Sequence, residues 1–265
     1  MSTDPFAQFK AMQRESWSHF APTATFTTIP AAKLVRFAEV SAGQSVLDVA
    51  CGTGVVAVTA ARAGARVKGL DLSPVLLESA RANASLAQVE IDFLEGDLEA
   101  LPYPDSTFDV VLSQFGHMFA PRPAVAIQEM LRVLRPGGRV AFTTWPPEHL
   151  VGRGITVVGR YLPPPPGIAP STAWGEPAVV RERLGDRVRD LVFDRGTMHV
   201  PVLSVQHYRQ WLETSIAPIL RLVAELRDRP EELQRFRSEM EAASSPFLSG
   251  NSARQTFLMS RATKV

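Results

Sequence analysis

The chain has 265 residues, 45% of them hydrophobic, and its 28 Lys and Arg residues balance 27 Asp and Glu residues to a formal net charge of +1. This length and composition can bury a large core, and we expect a single domain spanning 1–265. The balanced charge provides no general attraction to nucleic acid, so no nucleic-acid partner is expected. One cysteine excludes an internal disulfide framework. We expect no signal peptide, no membrane span and a cytoplasmic location.

Two helices are predicted ahead of the core. Apolar residues recur at helical spacing between residues 4 and 20, which predicts a helix that begins after Pro5. A second helix is predicted over residues 30–40. Aromatic residues at such spacing, including Trp17 and Phe20, are more often core residues than ligand contacts.

A glycine-rich loop follows the first predicted strand, residues 45–50. Gly52 and Gly54 can adopt positive φ and let a ligand approach the backbone closely. The helix predicted over 55–63 would direct its free N–H groups back at this turn. The pattern predicts a cofactor-binding loop, although it also satisfies the dinucleotide fingerprint G-x-G-x-x-A.

Two residues of this segment indicate which kind of ligand it binds. Asp48, near the end of the strand, would repel a pyrophosphate but can bind an ammonium or hydroxyl group. It therefore favours a nucleoside with a positively charged amino-acid tail, S-adenosylmethionine. Cys51 has no His or second Cys nearby, so a packing role is favoured over a nucleophile or a metal ligand, and no metal site is predicted.

Further acids stand at the ends of the next predicted strands. Asp71 ends the second strand and can accept hydrogen bonds from both ribose hydroxyls, as an acid in an NAD enzyme also would. Asp97 follows the third strand, beside Gly96, and could accept a bond from an adenine amino group. Together these acids predict one ligand site along a single edge of a sheet.

Strands and helices alternate along the chain, which predicts a parallel sheet with helices on both faces. The predicted core strands are 45–50, 66–71, 90–94, 108–113 and 139–144, with helices at 55–63, 74–87 and 123–134. Two later strands, near 191–200 and 256–261, would pair near one edge. Residues 147–190 and 204–250, the latter with helices at 205–227 and 230–243, are predicted to be insertions that form a cap over the strand ends.

These elements, in this order, resemble class I S-adenosylmethionine-dependent methyltransferases, especially those of quinone biosynthesis and small-molecule methylation. The resemblance covers roughly residues 30–145 and includes the FDVVLS strand at 108–113 and the RPGG turn at 135–138. It implies an α/β, Rossmann-like, seven-stranded, mainly parallel sheet with a helical cap, and S-adenosylmethionine as cofactor. One departure is Ala50, which replaces the first glycine of the family loop and is expected to alter its shape slightly. The predicted cofactor-binding residues are Asp48, Ala50, Cys51, Gly52, Gly54, Asp71, Leu72, Gly96, Asp97, Leu98, Ser113 and Gln114.

Catalysis by such a protein consists mainly of positioning the reactants and excluding water, so neither a metal nor a catalytic triad is expected. His117 follows the fourth strand and is the candidate general base. A structural histidine bonded to backbone in a tight loop is an equal alternative. Phe115, Met118 and Phe119 would form an apolar wall, which favours an aromatic or lipophilic small-molecule acceptor.

Two other functions stay open from the residues alone. An NAD-type oxidoreductase could use the same glycine loop, although Asp48, Asp97 and the RPGG turn argue against it. A binding subunit that keeps the fold without turnover is also possible, although the acids at 48, 71 and 97 argue against such a loss. The oligomeric state is open.

Overall fold

The structure is a computed structural model that describes residues 4–265, without the side chains of residues 18, 19, 22 and 23; residues 1–3 of the predicted domain lie outside it. A 3₁₀ segment, Ser18–Thr27, joins the first two helices. The helices are α1 Ala7–Trp17, α2 Thr28–Phe37, α3 Val55–Arg62, α4 Pro74–Leu86, α5 Pro123–Arg132, α6 Leu150–Tyr161, α7 Pro177–Leu184, α8 Val205–Ser215, α9 Ala217–Glu225 and α10 Pro230–Ser244. The strands are β1 Ser45–Val49, β2 Arg66–Asp71, β3 Ile91–Glu95, β4 Phe108–Gln114, β5 Leu134–Thr144, β6 Val188–Pro201, β7 Leu248–Ser249 and β8 Ser252–Lys264.

Seven strands form a sheet in the order β3-β2-β1-β4-β5-β8-β6, and the short β7 pairs with β8. Strands β1 to β5 pair in parallel, whereas β8 is antiparallel to both β5 and β6. The predicted fold class is therefore confirmed. Because β1 to β4 are parallel, their carboxyl ends meet at one edge, and the predicted site residues follow those ends.

Apolar residues on the two faces of the sheet build two separate cores. On β1, Val46 packs in a cluster with α2, α3 and α4, while Leu47 and Val49 pack in a second cluster on the opposite face. This alternation is the period-2 pattern of a strand buried on both sides. The carboxyl edge is thus held between two rigid apolar layers.

Several element boundaries differ from the predicted ones. The helix predicted over 205–227 is two helices, because Ile216 is extended and α9 begins after it at Ala217, with Pro218 in its first turn. β5 begins at Leu134 rather than near residue 139, since Leu134 already pairs with Phe108 before a register shift. The sequence pattern also missed helix α6.

The segment 147–190 divides between two parts of the molecule. Its later part, with Trp174, Val180 and Leu184, packs in the same apolar cluster as the sheet. Its earlier part, α6, adds Leu150 to that same cluster and also packs with α9 and α10 around a third cluster that contains Val157 and Phe236. Across the described range 4–265, no helix combines the length and apolar character needed to cross a bilayer.

Candidate cofactor site

The loop between β1 and α3 is built from three left-handed backbone positions. Ala50, Gly52 and Gly54 have φ values of 51°, 54° and 75°. At Gly54 a Cβ atom would lie 3.0 Å from both Ala80 Cβ and the Phe93 ring, so only glycine lets α3 start against β3 and α4. At Gly52 nothing lies closer to such a Cβ than 4.0 Å, so the backbone there faces open space. This open, Cβ-free backbone is a surface on which a ligand can lie.

Ala50 occupies the position where the family pattern has glycine, and its left-handed conformation explains that preference. The loop after β4 passes directly over it. A Cβ placed on Gly116 would lie 2.5 Å from Ala50 Cβ and 2.7 Å from its carbonyl oxygen. Gly116 therefore provides the space that the Ala50 methyl group occupies.

Asp71 ends β2 and joins the glycine loop to the start of α4. Its Oδ2 accepts a hydrogen bond from the Gly52 N–H at 2.7 Å, and its Oδ1 accepts one from the Ser73 N–H at 2.8 Å. Burial raises the pKa of Asp71, against hydrogen bonds from Ser73, Gly52 and Leu72 that lower it. A carboxylate has about four lone-pair sites, so these contacts leave Asp71 able to accept a further hydrogen bond, such as one from a ribose hydroxyl.

Asp48 lies beneath the same loop and is almost fully buried. Its Oδ2 accepts the Ala57 N–H in the first turn of α3 at 3.0 Å, while its Oδ1 has no hydrogen-bond partner among residues 4–265. Burial raises its pKa well above the usual range, and the negative charge of Asp71 adds to that shift. An unpaired acid next to a second acid is a site for a cationic group, so the residues fit the amino-acid tail of S-adenosylmethionine.

Asp97 lies after β3 and is already engaged within the protein. Its Oδ1 accepts the Glu99 N–H at 2.8 Å, and its Oδ2 accepts the Lys10 ammonium at 2.6 Å. Leu98 beside it is buried in the sheet cluster. Gly96 approaches β2 so closely that a Cβ would lie 2.7 Å from Leu70, and its N–H donates to the Asp71 carbonyl. The residues predicted to lie on the adenine side of the site therefore come together around the ends of β2 and β3.

The remaining predicted cofactor residues hold the loops together. The Ser113 hydroxyl donates to the Val49 carbonyl at 2.9 Å, which ties β4 to β1. The Gln114 side-chain amide donates to the Thr27 carbonyl at 2.9 Å. Leu72 is half-buried, and Cys51 is buried with a pKa raised well above the usual value by that burial. A thiol with a raised pKa stays protonated, which agrees with a packing role.

His117 is separated from solvent by aromatic rings. Its imidazole lies 4.6 Å from the Phe142 ring and 4.9 Å from the Trp174 ring, and it is fully buried. Burial, with a smaller effect of the Arg183 charge, lowers its pKa to about 3. Neither ring nitrogen has a hydrogen-bond partner within the described part of the chain, so the expected backbone contact of a structural histidine is not formed either. This environment favours a packing role over a general base.

Aromatic side chains collect around the ends of β4 and β5. Phe115 stacks on Trp145 with centroids 3.9 Å apart, and Phe26 meets Trp211 of α8 edge-on at 5.6 Å. Of the predicted apolar wall, Phe115 and Met118 are buried. Phe119 contacts Trp17 of α1 at 4.9 Å. The helices therefore reach the sheet edge through aromatic contacts.

Sequence reasoning missed Lys10, Thr27 and Trp211, which belong to helices or loops outside the sheet. Of these three, only Lys10 had a sequence feature that could have identified it. It is a charged residue within the helical pattern that predicted α1, between Phe9 and Met12. The partners of all three residues depend on how α1, the 3₁₀ segment and α8 lie against the strand ends, which local patterns do not specify.

Comparison with known proteins identifies the family to which the chain belongs. Residues 47–142 match the family described as a methyltransferase domain. An uncharacterised protein of Mycobacterium tuberculosis is 36% identical over 200 residues, 75% of this chain and 73% of that protein. A demethylmenaquinone methyltransferase of Clavibacter sepedonicus is 34% identical over 165 residues, 59% of this chain and 66% of that protein. The YcgJ protein of Bacillus subtilis has the same fold, with a TM-score of 0.59 at 19% identity over 88% of this chain and 97% of that one. The chain belongs to the class I S-adenosylmethionine-dependent methyltransferases.

Proposed function

We propose that this enzyme transfers the methyl group of S-adenosylmethionine to a small-molecule acceptor that is aromatic or lipophilic. The observation that carries the proposal is the set of aromatic contacts at the carboxyl ends of β4 and β5, beside the loop that would hold the cofactor. Side chains with little polarity at that edge suit an acceptor of the same character.

The cofactor would lie along the edge formed by the ends of β1, β2 and β3. In this arrangement Asp71 accepts hydrogen bonds from the ribose hydroxyls. Asp97 accepts a hydrogen bond from the adenine amino group, and Leu98 packs against the ring. The free oxygen of Asp48 faces the ammonium group of the cofactor. The bound cofactor supplies an electrophilic methyl group on a sulfonium. The protein's part is to fix the donor and acceptor in line and to keep water out.

Two buried polar atoms mark a contact for the acceptor. Gln114 and Thr143 are directly paired on β4 and β5, so their side chains share one face of the sheet. Gln114 Oε1 and Thr143 Oγ1 lack hydrogen-bond partners in the portion of the chain that the structure covers. An acceptor with a hydroxyl group would satisfy both atoms, since buried polar groups without partners are costly. A relative named demethylmenaquinone methyltransferase supports an acceptor of the quinone type.

The helices beyond the sheet would complete the acceptor pocket. Trp211 of α8 contacts Phe26, and Phe26 adjoins Thr27, which binds Gln114. Helix α8 thus borders the proposed acceptor position, and α6, α9 and α10 pack beside it around their own apolar cluster. We therefore retain the cap as part of the proposal, formed by α6 and α8 to α10 with the 3₁₀ segment.

Calorimetry tests the cofactor assignment. The wild-type protein is expected to bind S-adenosylmethionine and S-adenosylhomocysteine and to show no binding of NAD. Asp71→Asn should weaken binding about 10–100-fold, because a charged acceptor of a hydroxyl hydrogen bond is worth roughly 1.5–3 kcal/mol. Asp92→Asn is the matched control, since Asp92 forms an exposed ion pair with Lys68 on neighbouring strands.

This experiment distinguishes a site for S-adenosylmethionine from a site for NAD. Unchanged affinity in Asp71→Asn would remove Asp71 from the ribose site, and tight NAD binding by the wild type would overturn the assignment. For the acceptor, methyl transfer from labelled S-adenosylmethionine to a panel of phenols, hydroquinones and aliphatic amines should favour the first two. Transfer to amines alone would contradict the aromatic acceptor.

A further inference from the structure

One lysine of α1 is buried at the adenine end of the proposed site. The Lys10 ammonium lies 2.6 Å from each of three carboxylates, those of Asp4, Asp97 and Glu99, and only 9% of its side chain is exposed. An ammonium group has three N–H donors, so every donor of Lys10 is directed at an acid. Glu99 is completely buried and also binds Arg122.

This lysine acts on the carboxylate that the adenine amino group would meet. The Asp97 side chain is fixed from two directions, by the Glu99 N–H on Oδ1 and by Lys10 on Oδ2. Burial opposes the charge on Lys10, but the hydrogen bonds to Asp4, Asp97 and Glu99 outweigh that effect and raise the pKa of Lys10. Lys10 therefore stays positively charged throughout the neutral pH range.

Other contacts show that α1 lies across the strand ends. The Gln13 side-chain amide donates to the Phe119 carbonyl at 2.9 Å, and Trp17 packs on the Phe119 ring. Arg14 forms an exposed ion pair with Glu95 at the end of β3. Helix α1 thus bridges the end of β3 and the loop after β4, the two sides between which adenine would enter.

We propose that Lys10 is a positioning residue of the cofactor site, which orients Asp97 toward adenine and whose contact with Asp97 must break for the cofactor to enter or leave. The inference rests on the proposed function, because it takes the end of β3 as the adenine site. It adds that the affinity and the exchange rate of the cofactor are set by a residue outside the sheet.

Stopped-flow binding of S-adenosylhomocysteine to Lys10→Met tests the proposal, with Arg14→Met as control. Arg14 is one turn along the same helix and pairs with an acid of the same strand end, but that pair is exposed. In Lys10→Met the dissociation rate is expected to rise at least tenfold and the association rate about threefold or more. Arg14→Met should change both rates less than twofold.

Loss of a purely structural ion pair would not raise the association rate, so this rate distinguishes the two roles of Lys10. A dissociation rate that rises alone, or two unchanged rates, would overturn the proposal. If Lys10→Met does not fold, Asp4→Asn removes one of the three acids more gently and should shift both rates in the same direction.

Hydrogen exchange without ligand keeps this test separate from the cofactor assignment. Amides of α1 should exchange at least tenfold faster in Lys10→Met than in wild type or Arg14→Met. Equal exchange in all three proteins would show that Lys10 does not hold α1. Absence of S-adenosylhomocysteine binding by the wild type would instead defeat the proposed function, whatever the exchange of α1.

Discussion

At the scale of single residues, burial shifts the pKa values of the ionisable groups around the candidate cofactor site. Asp48 and Asp71 both have raised pKa values because they are buried, and the two acids also repel one another. Such acids are costly unless a cation or hydrogen-bond donors meet them. The same cost explains why Asp71 accepts two backbone N–H groups and why the free oxygen of Asp48 suits a ligand ammonium.

The burial of His117 should make the free energy of unfolding depend on pH. Its pKa falls from the ordinary 6.5 to about 3 because it is buried. The unfolded chain then binds one more proton than the folded protein between these values, so stability falls as pH drops below about 6.5. At pH 5 the loss from this group should be about 2 kcal/mol.

Denaturant unfolding of wild type and His117→Leu at pH 7.5 and pH 5 measures this effect. The variant should lose less stability on acidification than wild type, whatever its absolute stability. His199→Gln, which changes an exposed histidine, should retain the wild-type pH dependence. Parallel loss in wild type and His117→Leu would contradict the assignment.

The same substitution decides whether His117 is a base. A group with a pKa of about 3 and no contact with solvent is a weak proton acceptor near neutral pH. With an identified acceptor, turnover of His117→Leu per folded molecule should stay within about threefold of wild type. A loss of about 10²–10⁴-fold, with S-adenosylmethionine affinity unchanged, would instead support general-base catalysis.

A second residue-scale prediction concerns the contact between the two loops. Gly116→Ala would place a methyl group against the Ala50 backbone, so stability should fall by about 1–3 kcal/mol and cofactor affinity should fall with it. Gly159→Ala, in α6, is the control, because a Cβ placed on Gly159 would have no other atom within 4 Å. It should raise stability by about 0.5–1 kcal/mol. Equal effects would show that the loops separate easily.

At the scale of elements, the helices outside the sheet form a unit with its own apolar cluster. Val157 of α6, Leu222 of α9 and Phe236 of α10 pack in a cluster of their own, while Leu150 of α6 and Tyr208 of α8 join the sheet cluster. Charged contacts add to this packing, since Glu213 of α8 binds Arg237 of α10. Elements with few contacts to the main core open at lower free energy than the core itself.

Hydrogen exchange tests this separation. Amides of α6, α9 and α10 should exchange faster than those of β1 and β4, and should slow when S-adenosylhomocysteine binds. Phe236→Ala should accelerate exchange in these helices selectively. Phe108→Ala, which removes a buried ring from the sheet cluster, should accelerate exchange in the strands as well. Uniform exchange with and without ligand would contradict a mobile cap.

At the scale of the whole molecule, ligand binding should stabilise the fold by mass action. S-adenosylhomocysteine at 100 times its Kd should raise the free energy of unfolding by about 2.7 kcal/mol, because the ligand binds only the folded site. NAD at the same concentration should have no effect. Thermal unfolding followed by circular dichroism measures both, and an equal shift with NAD would favour the dinucleotide reading of the glycine loop.

Local sequence patterns were enough to predict the sheet and the edge at which the proposed cofactor-binding residues lie. Strand periodicity, the glycine loop and the acids at 48, 71 and 97 are local signals, and each depends on a residue and its immediate neighbours. The predicted core strands therefore agree with the observed β1 to β5, apart from the early start of β5 at Leu134. The substitution of Ala50 for glycine was also visible, since the left-handed position is a property of the loop alone.

The tertiary structure decided which residues surround that edge. Lys10 meets Asp97, which lies 87 positions further along the chain, and Gln114 meets Thr27 across the same distance. No local pattern encodes such contacts, because they arise only when α1 and the 3₁₀ segment pack across the strand ends. The burial of His117 also depends on distant parts of the chain, since Phe142 and Trp174, which cover it, come from β5 and a later loop. A residue's type and local position suggested its chemistry, but distant elements set its exposure and pKa.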